Sequence, residues 1–157
     1  MATEIERKFL VTNHNWKKHV TQSIQIRQGY FCNNDAVSIR VRVTGKTASL
    51  NFKSVNIGIQ RSEYDYEIPV SDAWEMLESL CKKPIIEKTR YLVPDDGNTW
   101  EIDVFGAKNT GLIIAEIELE NINQQVNLPE WVGKEVTDEK RYYNPWLCAH
   151  PYQLWTD

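Results

Sequence analysis

Glu4, Glu6 and Lys8 stand at every second position near the N-terminus. The same spacing recurs in Arg40 and Arg42, in Glu63, Asp65 and Glu67, in Lys88 and Arg90, in Glu101 and Asp103, and in Glu116, Glu118 and Glu120. Lys53 occupies a similar alternation beside Leu50 and Phe52. Side chains two apart on an extended strand share a face and lie about 7 Å from each other. Like charges so placed gain nothing unless something of opposite sign lies between them. One such row also suits a solvated sheet face with cross-strand ion pairs; a whole set of them asks for a common purpose. Carboxylate rows facing a shared space suit a hard divalent cation such as Mg²⁺ or Mn²⁺. Basic rows suit phosphate, arginine by bidentate bonding and lysine as a point charge. The rows hold ten acids against six bases, so bound cations have a surplus of negative charge to offset.

Strands must present these rows. Period two predicts strands over Thr3 to Val11, Ile24 to Tyr30, Ser38 to Val43 and Ala48 to Lys53, and around the later rows. Asn33, Asn34 and Asp35 mark one turn, Gly45 with Lys46 a hairpin turn, and Asp96 with Gly97 another. A helix is expected from Ser71 as N-cap, burying Trp74, Leu77 and Cys81 and ending by Pro84. A second short helix is expected near Trp16, and a third over Thr137 to Asn144 with Thr137 as its cap.

About eight strands closed into a barrel turn one face of each into a lumen. The result is a mainly β, eight-stranded antiparallel barrel with a polar, charged interior. Its apolar rows, Ile39, Val41, Ile102, Val104, Ile117 and Leu119, then face outward under the helices carrying Trp16 and Trp74. The aromatic tail from Tyr142 to Trp155 is expected to pack on the exterior, with a plug over one mouth as the alternative.

The 157 residues carry no linker, repeat or low-complexity tract, which predicts a single domain over 1–157. Three scattered cysteines and three scattered histidines give neither a disulfide framework nor zinc-ligand spacing. A net charge of −4 removes any general attraction to nucleic acid or an anionic membrane. No apolar run has the roughly 20 residues of a membrane helix, and the N-terminus has no secretory apolar region. The expectation is a cytoplasmic protein, monomer or homodimer, acting on a small molecule.

Glu4-Ile5-Glu6-Arg7-Lys8 is an ExExK motif. With Arg40-Val41-Arg42, Phe52-Lys53, Glu87-Lys88-Thr89-Arg90, Glu101-Ile102-Asp103 and Glu116-Ile117-Glu118 following in order, the chain resembles the CYTH proteins, or triphosphate tunnel metalloenzymes. Gln28-Gly29-Tyr30 and Glu135-Val136-Thr137 are most similar to the small bacterial inorganic triphosphatases. The resemblance implies metal-dependent hydrolysis of triphosphate to pyrophosphate and phosphate, with one or two Mg²⁺ or Mn²⁺ ions. It implies metal ligation by Glu4, Glu6, Asp103, Glu116 and Glu118, supported by Glu101 and Glu63. Lys8, Arg40, Arg42, Lys53, Lys88 and Arg90 would hold the phosphates. Tyr30 would act as base beside Lys53, whose ammonium would lower the phenol's pKa. A class IV-type adenylyl cyclase, a thiamine or nucleoside triphosphatase, and a non-catalytic polyphosphate- or nucleotide-binding barrel are the alternatives.

Overall fold

The computed structural model describes residues 3–31, 36–55 and 59–156; the turn expected at Asn33, Asn34 and Asp35 lies outside them. Among the described residues nine strands form: β1 (Thr3–Val11), β2 (Gln22–Tyr30), β3 (Val37–Thr44), β4 (Thr47–Ser54), β5 (Gln60–Ile68), β6 (Ile86–Asp95), β7 (Asn98–Phe105), β8 (Ile113–Glu118) and β9 (Val132–Glu135). Two α-helices, α1 (Val70–Ser79) and α2 (Asn144–Ala149), and several 3₁₀ turns complete the fold. The strands hydrogen-bond in the order β5-β4-β3-β2-β6-β7-β8-β1, and β1 pairs again with β5, closing an eight-stranded antiparallel barrel.

Closure depends on β1 serving two partners along one edge. Thr3 to Ile5 pair with β5, while Phe9 and Val11 pair with β9. Between them the Glu6 amide donates to the Ile59 carbonyl at 2.8 Å, and the Lys8 carbonyl accepts from the Val136 amide at 2.8 Å. The edge is thus satisfied along its length. Two-residue turns set the register of two hairpins: Thr44 pairs with Thr47 across Gly45-Lys46, and Asp95 with Asn98 across Asp96-Gly97. Asp96 and Gly97 both take positive φ, 48° and 79°, the backbone of a turn that matches strand twist.

The barrel is polar within and apolar without. Phe9, Trp16, Val93, Trp100, Ile102, Ala115, Ile117 and Trp131 form one outer core, with Trp16 brought over it by a 3₁₀ turn at Asn15–His19 rather than an α-helix. α1 covers the other side, packing Ala73 and Leu77, with Cys81 just past its end, on Val41, Val43 and Ala48. Gly29 permits that approach, because a Cβ there would lie 2.8 Å from the Cβ of Cys81. Two details of α1 differ from expectation. It starts at Val70 after Pro69, with no side-chain cap, so Ser71 lies inside the first turn. Trp74 is 41% exposed, because Ala73 and Leu77, four apart, define the buried stripe and Trp74 is rotated off it; its ring lies 5.8 Å from the Arg27 guanidinium.

The C-terminal region departs further. Thr137 caps no helix: its hydroxyl accepts the Lys8 amide at 3.0 Å and donates to Glu135 at 2.6 Å. The helix forms later, as α2, with Pro145 in its first turn where a missing N–H costs nothing. The tail is not merely exterior packing. Leu147 and Cys148 of α2, with Tyr142, join Tyr30, Ile86, Phe105 and Ile114. Those four strand residues alternate in phase with the charged rows, so they fill the lumen's end. The tail is therefore a plug. Among the described residues no helix is long and apolar enough to cross a membrane.

Candidate active site

Above the plug lies a cavity of about 410 Å³, within the range of small-molecule sites. Lys8, Arg40, Arg42, Lys53, Lys88, Arg90, Glu4, Glu6, Glu116, Glu118 and Tyr30 all line it, so the fold brings together every expected site residue but one. The exception is Asp103, 0% exposed and set behind the wall. Tyr143, Asn144 and Pro145 contribute to the floor. Glu63, Asp65 and Glu67 all face the cavity from β5, the last two at an exposed rim.

One side of the lumen is acidic. Glu6 and Glu118 are directly opposed across β1 and β8. Glu118 is pushed above the usual carboxylate range by burial and by the charges of Glu4, Glu63 and Glu6. Cations from the chain thread this group. Lys53 pairs with Glu4 at 2.9 Å and Glu63 at 3.2 Å. Arg61 reaches Glu4 at 3.3 Å and Glu6 at 2.9 Å. Lys8 lies 2.5 Å from Glu116 and 3.6 Å from Glu6; burial pulls its pKa down, but these two carboxylates hold it above the usual value. As they stand, no three acidic, imidazole or thiol groups among the described residues converge tightly enough to enclose an ion.

The other side is basic, and its members differ in their partners. Arg90 donates to both oxygens of Asp103, at 2.8 and 2.9 Å, and to Glu101 at 3.1 Å. Lys88 meets the same Asp103 at 2.6 Å. Burial opposes the Asp103 charge, yet Arg90 and Lys88 hold its pKa below the usual value. Burial brings Lys88 down to about 7, with Arg90 and Arg42 acting in the same direction. Arg40 and Arg42 show no ion pair among the described residues. Arg42 donates through Nε to the Gln28 amide oxygen at 2.8 Å. Burial and the nearby Arg40 and Arg90 charges bring it down to about 9. A buried guanidinium that its neighbours repel favours an anion beside it.

Tyr30 lines the cavity, as Lys53 does. It is paired across strands with Arg40 and lies 3.2 Å from the Gln28 amide nitrogen, while Lys53 is on the acidic side. Burial raises the phenol's pKa, and Arg40 only partly opposes it, the reverse of the direction expected from the sequence. Three groups were missed. Arg61 follows the alternation of Glu63 and Asp65 and was legible from parity. Tyr143 and Asn144 reach the cavity only through the plug, which no periodicity signals. Tyr143 lies under Lys8 and Arg61, 4.7 and 5.2 Å from its ring centre, and donates its hydroxyl to the Thr137 carbonyl at 2.6 Å.

The CYTH domain family's sequence model matches residues 2–145. An inorganic triphosphatase of Acetivibrio thermocellus is 46% identical over 153 residues, 98% of this chain and 97% of the relative. One from Nitrosomonas europaea is 37% identical, covering 93% and 97% respectively. The crystal structure of an inorganic triphosphatase superposes with a TM-score of 0.69 at 35% identity, over 94% of this chain and 95% of the other.

Proposed function

The chain belongs to the CYTH domain family, and from that premise we propose that it is a divalent-metal-dependent hydrolase that cleaves inorganic triphosphate to pyrophosphate and phosphate inside its barrel. Both curated relatives are inorganic triphosphatases and align over nearly their full length. The observation that carries the reading is the division of the lumen. Arg40 and Arg42, free of carboxylate partners among the described residues, line a cavity also lined by glutamates, of which Glu118 is raised by burial and by the charges of the others.

The donor set fits a hard divalent cation, because the cavity-facing acids offer only oxygen and crowd one another. Glu4, Glu6, Glu116 and Glu118 are the residues we assign to hold it. Asp103, whose two oxygens are both engaged, serves instead to fix Lys88 and Arg90. A bound ion would supply polarisation of a phosphoryl oxygen and neutralisation of charge. Arg40 and Arg42 take the anionic chain by charge-assisted hydrogen bonds, and Lys88 and Arg90 hold it from β6, on the far side of β2. Lys8, buried between Glu6 and Glu116, keeps those acids at a fixed spacing from the phosphates. Tyr30, kept neutral by burial, contributes as a hydrogen-bond donor rather than as a base. Lys53 orients Glu4 and Glu63 and adds positive charge near the rim. In phosphoryl transfer such positioning and electrostatics do most of the work.

The test is phosphate release from inorganic triphosphate, ATP, thiamine triphosphate and pyrophosphate, each with Mg²⁺, with Mn²⁺ and with chelator. Triphosphate turned over fastest, and only with a metal, is the expected result. Preference for ATP with cyclic AMP as product would overturn the reading, as would tight triphosphate binding with no turnover.

A further inference from the structure

We propose that Gln28 is a positioning residue: a neutral anchor that fixes the Arg42 guanidinium toward the lumen while leaving its charge available to phosphate. The inference rests on the reading above, in which Arg42 binds the substrate.

Gln28 is 0% exposed and lies behind the cavity surface, so it does not itself meet a substrate. Its amide is nonetheless fully engaged. Oε1 accepts from Nε of Arg42 at 2.8 Å, while Nε2 donates to Oδ1 of Asn144 at 3.0 Å and lies 3.2 Å from the Tyr30 hydroxyl. Asn144 Oδ1 also receives the Lys88 ammonium at 3.3 Å. These contacts fix which way the amide points. Flipped, it would set its NH₂ against the N–H of Arg42 and its oxygen against the oxygen of Asn144. The bond engages Nε rather than a terminal nitrogen, and Arg42 itself lines the cavity.

Arg90 shows the alternative. It is held by a carboxylate, Asp103, through Nε and a terminal nitrogen, an anchor that also cancels charge. Glutamate has the shape of glutamine and would hold Arg42 at least as firmly. What the amide preserves is the uncompensated charge. Because Asn144 opens α2, the plug that closes the barrel also sets the direction of this anchor.

Gln28→Glu separates holding from charge. Titration of the full chain with inorganic triphosphate in chelator, where turnover is suppressed, is expected to show binding about tenfold weaker or more, with the thermal unfolding midpoint unchanged or higher. A merely structural Gln28 predicts wild-type affinity for this variant. Gln28→Met, which fills the space without a hydrogen bond, is expected to weaken binding too, and it decides the question should the glutamate variant fold poorly. Arg42→Ala and the double variant Gln28→Met/Arg42→Ala complete a cycle: with no guanidinium left to hold, the double variant is expected to bind no worse than Arg42→Ala alone. If Arg42→Ala binds triphosphate like the wild type, the phosphate-binding reading itself falls. If Arg42→Ala is impaired while Gln28→Glu or Gln28→Met binds normally, only the anchor is refuted.

Discussion

Strands β3 and β6 each project two cations, two residues apart, into the same lumen, yet the two pairs live under opposite conditions. Arg90 of β6 is registered against Asp103 of β7, and that one carboxylate serves both Arg90 and Lys88. Arg40 of β3 is registered against Tyr30 and Asn51, and Arg42 against Gln28 and Ser49. Every cross-strand register partner of the β3 pair is polar and neutral. Spacing along a strand puts a charge into the lumen, while register across strands decides whether that charge is compensated within the protein or kept for a guest.

The contrast can be broken in several places. The largest effect is expected at Asp103: replacing it with Ala takes the carboxylate from the buried Arg90 guanidinium and leaves the Lys88 amine without its acceptor, and urea unfolding should show a loss of about 3–5 kcal/mol. A loss under about 1 kcal/mol would mean that the β6 pair has no structural need of its acid. Next comes Arg42→Ala, with Arg40→Ala as its companion. Each should cut triphosphate turnover by about 100-fold, while the unfolding midpoint stays level or rises because a repelled cation is gone. A marked drop in midpoint with activity preserved would reverse the roles assigned to β3 and β6. Tyr30→Phe should lower turnover by about tenfold, the worth of one hydrogen bond, and leave triphosphate affinity nearly intact; equal turnover would remove the phenol from the reaction.

The smallest effect is a proton. Burial puts Lys88 near pKa 7, below its ordinary value, so above pH 7 the resting protein holds it largely uncharged. An arriving anion favours the ammonium and raises that pKa, so binding near pH 8 should take up as much as one proton, and affinity should fall as pH rises through 7. Calorimetric titration in buffers of different ionisation enthalpy reads this directly. Proton release instead of uptake would contradict the assigned direction.

Much of this was written in the sequence because a strand has a fixed period of two. The rows of like charges fall on the lumen face except Glu120, which lies past the end of β8 in an exposed bend; the barrel is charged inside, and Trp16 lies over an apolar exterior as expected. The family likeness seen in the ExExK motif and the rows that follow it is matched by the relatives. What a single sequence does not carry is register. Asp103 and Glu118 look alike in their rows, yet one is sealed behind Lys88 and Arg90 while the other faces the cavity among acids. Thr137 had the composition of a helix cap, but a tertiary partner, the Lys8 amide, claimed its hydroxyl. The direction of the Tyr30 pKa was not legible either, because it is set by burial, with Arg40 opposing.

The C-terminal plug has one more consequence. With Leu147 and Cys148 seated in the lumen's end, and Tyr143 and Asn144 as the floor above them, the barrel is a vessel with a bottom rather than a passage. A linear guest that reaches this floor leads with one terminus, and a fragment lying against the floor leaves back along the lumen by which it came.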